Sequence, residues 1–299
     1  METQFWWIYD VIAVIDVLVC IYLSGKKGLF KSAIMLVSCI LGIAVAVPMS
    51  GAISESLYKT TVRDSNVNKL NKILMESEIS SYLGNALENM GYSVIVNTEK
   101  LDSILESEKD VDEQLYKYMN NINGKVVDNE ESFQTNLNNC YAEVMNKLIS
   151  GGFGKYAVET ASQKIRNGET DFGNLMKSIK SDEQFKDVAK IISDDYIADA
   201  YRNIIRLITC IVLFAIVFVI GLLTTKSLAG SRDSISESTG SHIAGGICGL
   251  FTGASVIFII AVAIRLYVVM GNNEMLFFDN KSIDKTYIFR YAYDIVSEL

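Results

Sequence analysis

The sequence predicts an all-α integral membrane protein with four transmembrane helices in two hairpins and a helical extracytoplasmic insert between them. Three observations carry this. Apolar residues gather in four blocks, about 5–23, 29–53, 204–225 and 243–271, each close to or above the ~20 residues that cross a bilayer as a helix. Residues 54–203, between the second and third blocks, are polar and contain no proline. Between the first two blocks stands the turn Gly25, Lys26, Lys27, Gly28, with Lys31 following, three cations and no acid.

The first block opens with Trp6, Trp7 and Tyr9, an aromatic anchor of the kind that sits at a membrane interface. No Lys or Arg precedes it and the basic residues follow it, so it reads as a retained helix rather than a cleaved signal peptide. Asp10 lies close enough to the start to reach headgroups. Asp16 lies near mid-span, where a carboxyl costs ~2.5–3.5 kcal/mol on insertion scales, so it faces protein or water, or is protonated.

The lysines place the loop 24–28 on the cytoplasmic side by the positive-inside rule. The N-terminus and the insert 54–203 are then outside. Pro48, the only proline, falls near the outer end of the second block, where it loosens the last turn without breaking the span.

Inside the insert the apolar positions Leu70, Ile73, Leu74, Leu83 and Leu87 keep a helical period up to Gly91. Residues 92–96 form a lone strand or a loop. A second amphipathic helix covers 129–149, with Phe133, Leu137, Tyr141, Val144 and Leu148 on one face, stopped by Gly151 and Gly152. A shorter helix covers 157–165, before Gly168. Ser181, Asp182, Glu183 and Gln184 look like a capping box opening a helix that runs unbroken into the third block, with Tyr196 and Tyr201 near the membrane surface.

The third block descends, with Arg206 at its outer end. A Ser- and Gly-rich loop, 226–241, stays cytoplasmic, and the fourth block returns, with Arg265 able to snorkel near its outer end. By count Asp10 and Arg265 share a depth, which predicts an ion pair. In the tail 272–299, Ile283, Tyr287, Tyr291 and Ile295 recur every four residues. They suggest a short amphipathic helix lying on the bilayer or on the bundle.

Gly245, Gly249 and Gly253 form one groove on the fourth segment, and Gly28 with Ser32 and Gly42 with Ala46 give the second segment the same small-xxx-small form. Such stripes let helix backbones approach closely and also suit self-association. The stretch 246–254 echoes 25–33 at two glycines, Leu, Phe and Ala. The echo points to packing between the second and fourth segments. It also raises the reading of the two hairpins as parallel repeats, as in some transporters.

The net charge of −8 resides in 54–203, the remainder being balanced; this acidity disfavours nucleic acid and anionic lipid as partners of the insert. Cys20, Cys39, Cys140, Cys210 and Cys248 show neither a CxxC spacing nor an even set in one compartment, so no disulfide framework or zinc site is indicated. His242 is the only histidine, GxSxG and HExxH are absent, and Gly151–Gly154 lacks the Lys and Ser/Thr of a phosphate loop. No catalytic, metal or cofactor residues are expected, and the chain does not read as an enzyme.

The membrane half, about 1–53 and 200–299, resembles the colicin V production protein (CvpA) family of bacterial membrane proteins. The likeness rests on Asp10 early in the first helix, on the turn Gly25–Gly28, on the Gly-Gly-x-x-Gly-Leu-x-x-Gly entry at 245–253, and on a tail with Ser282 and aromatics spaced up to Tyr293. It implies a multi-pass cell-membrane protein associated with bacteriocin or toxin production and cell-envelope physiology. The long acidic insert and Asp16 depart from that family's pattern. Two functions follow: a non-enzymatic anchor presenting its external domain to an envelope or secretion partner, or a small transporter or channel component using Asp16.

Overall fold

The computed structural model describes residues 5–181, 185–229, 238–271 and 279–298. They are almost entirely helical, with no strand among the described residues. The chain forms two compact units, one of Met1–Leu57 with Arg202–Leu299, the other of Tyr58–Tyr201.

The first unit holds α1 (Trp7–Leu57), α10 (Ala198–Ala229) from Arg202 onward, and α11 (Thr239–Met270); the helices between α1 and α10 belong to the second unit and are given below. Three helical runs, Trp7–Met75, Lys186–Ser227 and Thr239–Met270, are long and apolar enough to cross a membrane. Leu18, Ile40, Val212, Leu223 and Ile247 are each at least half exposed. Apolar helices with such exteriors suit a lipid bilayer.

Both of the first two apolar blocks lie in α1, and Gly28 separates them. Its φ of 75° and ψ of 171° belong to a region essentially reserved for glycine. Around it the chain bends back: the Ser32 hydroxyl donates to the Ser24 carbonyl at 2.7 Å, although eight residues of straight helix would span ~12 Å. The buried positions of the second leg, 29–57, are mostly small: Ser32, Cys39, Gly42, Ala46, Ser50 and Ser54. Gly28→Ala should cost about 1–3 kcal/mol, read as a lower melting temperature of the purified chain. An unchanged melt would show that the bend tolerates a side chain.

Gly245, Gly249 and Gly253 pack on the first leg of α1 and its turn, whereas the sequence echo pointed their groove at the second segment. A Cβ on Gly249 would lie 2.5 Å from the Cys20 carbonyl oxygen and 2.8 Å from the Ile21 Cα; one on Gly253 would lie 3.0 Å from the Val17 Cα. The order of these contacts makes the two helices antiparallel. The second leg meets α10: Phe214 sits over Gly42, and Ser38 sits over Gly221. The echoed stretches also differ in form, since 25–33 contains the Gly28 bend whereas 246–254 lies wholly in helix.

The second unit contains α2 (Arg63–Met75), α3 (Ile79–Glu88), α4 (Thr98–Leu105), α5 (Val111–Asn123), α6 (Glu130–Ile149), α7 (Lys155–Arg166), α8 (Phe172–Ser181) and α9 (Lys186–Ile191). They enclose one core in which Leu70, Leu83, Leu105, Leu115, Phe133, Met145 and Phe172 are buried. The helix expected up to Gly91 is two helices, broken at 76–78, and 92–96 is loop. For α6 the Asn129 side chain accepts from the Ser132 N–H, and Phe133, Leu137, Tyr141, Val144 and Leu148 are all buried. Gly168, at φ 68°, follows the end of α7.

Ser181 ends α8, while Asp182, Glu183 and Gln184 of the expected capping box lie outside the described residues. The N-cap position of α9 is Phe185. Tyr196 is not a membrane-surface residue but part of this core, edge-on to Phe172. Two π-helical turns, Tyr58–Val62 and Ile192–Ile197, face each other. The Tyr58 hydroxyl lies 2.7 Å from the Ser193 carbonyl and 2.8 Å from its Oγ. Arg63 donates from Nε to Asp194 Oδ1 at 2.8 Å and from Nη2 to Oδ2 at 2.5 Å.

Candidate functional site

Three arrangements in the fold carry polar chemistry: the glycine–lysine turn, the Asp10 carboxylate, and an acidic cavity in the helical unit.

At the turn, residues opening α11 hold the chain around Gly28. Ser238 caps α11 by accepting from the Ser241 N–H. The Ser241 hydroxyl oxygen accepts from the Leu29 N–H at 3.0 Å, and His242 Nδ1 lies 2.7 Å from the Gly25 carbonyl oxygen, so the imidazole donates there. The lone histidine thus fastens the turn. Lys26 and Lys27 are exposed, and the Lys26 ammonium lies 5.9 Å from the Tyr22 ring centroid. Lys31 is half-buried one turn into the second leg.

Asp10 does not pair with Arg265. Its carboxylate accepts three consecutive backbone N–H groups, Tyr287 at 2.7 Å, Ile288 at 2.9 Å and Phe289 at 3.0 Å. These are the unpaired donors at the start of the tail helix α13, Phe289–Ser297; α12 is the short helix Asn280–Asp284 before it. A carboxylate there satisfies orphan amides and complements the helix dipole. Tyr9 stacks on Phe289 at 5.3 Å and Trp6 meets Tyr287 edge-on. Arg265 donates instead to the Tyr293 hydroxyl at 3.3 Å, and that hydroxyl donates to Asn280 Oδ1 at 2.8 Å.

Of the stripe expected in the tail, Ile283 is buried in α12, while the other three members stay outside the bundle. Phe289, Tyr293 and Val296 are buried, while Tyr287 is 70% exposed and Tyr291 and Ile295 are also exposed. Both stripes are apolar at helical spacing, and α1 and α11 take one of them.

Asp16 is half-buried in the first leg, and its Oδ2 is buried without a hydrogen-bond partner. Arg206 lies against Gly51 of the second leg, with Nε 3.9 Å from where a Cβ there would stand. Close by, Arg202 pairs with Glu55 at 2.7 Å, an ion pair that the sequence reading missed because its partners are far apart in the chain.

The helical unit holds a cavity of about 560 Å³ whose lining includes Asp110, Asp112, Glu113, Glu130, Glu169 and Asp171. Asp112 stands where α5, α6 and α8 meet. The Tyr141 hydroxyl donates to its Oδ1 at 2.6 Å and the Gln134 amide to its Oδ2 at 2.8 Å. Burial nevertheless dominates and raises the Asp112 carboxyl above its ordinary range. Its place beside Gly173, where an added Cβ would meet Oδ1 at 2.4 Å, is a tertiary feature with no local sequence signal. Among the described residues no group of three or more His, Cys, Asp or Glu is placed to hold a metal.

A raised folded-state value favours the protonated acid. The associated stability is present below the unfolded carboxyl value, ~4, and is lost as pH rises through the folded one. Asp112→Asn should therefore melt near wild type at pH 4 and above it at pH 8. A variant less stable than wild type at pH 8 would show that the carboxylate's hydrogen bonds outweigh its burial.

Comparison with family models, curated proteins and solved structures finds no match.

Proposed function

We propose that the chain is a multi-pass membrane protein of CvpA-like type that crosses the cell membrane four times and presents the helical unit outside to an envelope or secretion partner, without catalysing a reaction. One observation carries the reading: Tyr58–Tyr201 closes its own apolar core, whereas the remaining unit keeps an apolar exterior. The two legs of α1, separated at Gly28, would supply the first two crossings, and α10 and α11 the others. Replacing 58–201 by a short Gly/Ser linker should leave a membrane-inserted chain that fails to complement a deletion strain. Full complementation by that shortened chain would sink the reading.

Orientation has its own test. Val126 is 66% exposed in the helical unit, so Val126→Cys should react with a membrane-impermeant maleimide added outside, and Lys26→Cys should not. Native Cys140 is no reporter. It is buried, its thiol donates to the Ala86 carbonyl at 3.2 Å, and burial pushes its pKa up to about 12. The reverse labelling pattern would invert the topology.

A second reading, a small transporter or channel component, is favoured by the partnerless Oδ2 of Asp16, since intramembrane carboxyls mark ion and proton paths. It requires flux in proteoliposomes that Asp16→Asn reduces.

A further inference from the structure

We infer that the groove between the first leg of α1 and the start of α11 is a binding site for an anionic phospholipid. The inference rests on the membrane reading above. The groove has a volume of about 800 Å³. Its floor is formed by Gly25 and Gly246, which face each other without side chains: a Cβ on Gly25 would lie 3.9 Å from the Gly246 Cα.

The walls are sorted by polarity along their length. Lys26, Thr239 and His242 stand at the turn end, and Ile21, Ile247 and Leu250 lie further along. From Thr239 to Leu250 the groove follows eleven residues of helix, ~16 Å, about half of a ~30 Å hydrocarbon core and so the depth of one leaflet. A lipid has that sequence of polarity and that length: a headgroup against the turn and an acyl chain along the isoleucines.

The charge selects the headgroup. Lys26 is exposed at the mouth, Lys27 is exposed beside it, and no acid lies between Ser24 and Ala33. Basic pockets between membrane helices on the cytoplasmic side hold anionic headgroups in this way. The His242 imidazole is engaged through Nδ1 with Gly25, so it fixes the groove's mouth while Lys26 supplies the charge. A zwitterionic lipid would fill the same apolar walls but carry no net charge for Lys26 to meet.

The test places a tryptophan in the groove of the full chain. Ile243, which lines it and is well exposed, is replaced in a Trp6→Phe, Trp7→Phe background, so that Ile243→Trp is the only indole. The protein is reconstituted in phosphatidylcholine vesicles containing one-fifth brominated phosphatidylglycerol or one-fifth brominated phosphatidylcholine. The apparent affinity from quenching should favour phosphatidylglycerol about fivefold, the worth of one lysine near an anionic surface. Adding Lys26→Gln should bring the ratio to one, and adding Gly246→Leu should fill the groove and abolish the preference, with melting curves confirming that both variants fold. Equal quenching by the two lipids would overturn the site while leaving the chain in the membrane. Quenching by neither would overturn the membrane placement as well. A preference that survives Lys26→Gln would overturn the assigned headgroup contact.

Discussion

Gly249→Val should unseat α11 from the first leg of α1. The valine Cβ would stand 2.5 Å from the Cys20 carbonyl oxygen and 2.8 Å from the Ile21 Cα, and both obstacles are backbone. A flexible side chain could swing aside; a helix backbone can yield only by moving the helix. Overpacking in cores typically costs 1–3 kcal/mol, and this site belongs at or above ~3 kcal/mol because no side-chain rotamer relieves it. The loss should spread, since the same helix start holds Gly25 through His242 and Leu29 through Ser241. Thermal melting in detergent would read the first effect, and faster proteolysis near the turn the second. Gly240→Val is the control, since a Cβ there meets nothing within 4 Å. Equal melting of the two variants would refute the packing role given to Gly249.

Asp10→Ala should release the tail helix. Three amides lose their acceptor at once, and loss of an N-cap acceptor costs about 0.5–2 kcal/mol; this one belongs at the upper end because the acceptor is charged and serves three donors. Asp10→Asn should retain part of the effect, as an amide oxygen still accepts but no longer complements the helix dipole. Limited proteolysis should then cut between Asp279 and Phe289 in the alanine variant first, the asparagine variant next and wild type last. Arg265→Gln should not reproduce the Asp10→Ala cleavage, because Arg265 engages Tyr293 rather than Asp10. If it did, the ion pair expected from depth alone would have to be restored.

How far the sequence reached depends on how local the cause is. The helix α6 is legible because Asn129, the apolar stripe from Phe133 to Leu148 and the glycines after it all lie within one short stretch. The glycine groove of α11 is legible as a groove, since its spacing needs only one helix. Its partner is not, because either leg of α1 offers small residues. Asp10 is misread for a related reason: its partners are backbone amides, which leave no residue signature, while Arg265 at the same depth does. The tail is legible only in part: Ile283 is buried as its spacing suggests, but Tyr287, Tyr291 and Ile295 and Phe289, Tyr293 and Val296 are both apolar at helical spacing, and only the second set packs inward. Asp112 and Tyr141 lie on separate helices of the insert and meet only once that core has closed.

The Asp10 contact also carries a schedule. Its acceptor and its first donor are 277 residues apart, so during synthesis the carboxylate emerges long before anything can meet it. Throughout that interval it must be kept wet or neutral, which favours holding the start of the first helix at the interface instead of drawing it deeper. A nascent chain halted before Tyr287 would lack the clasp however well its apolar helices had inserted. Closure of the clasp therefore marks a chain whose translation has passed Phe289.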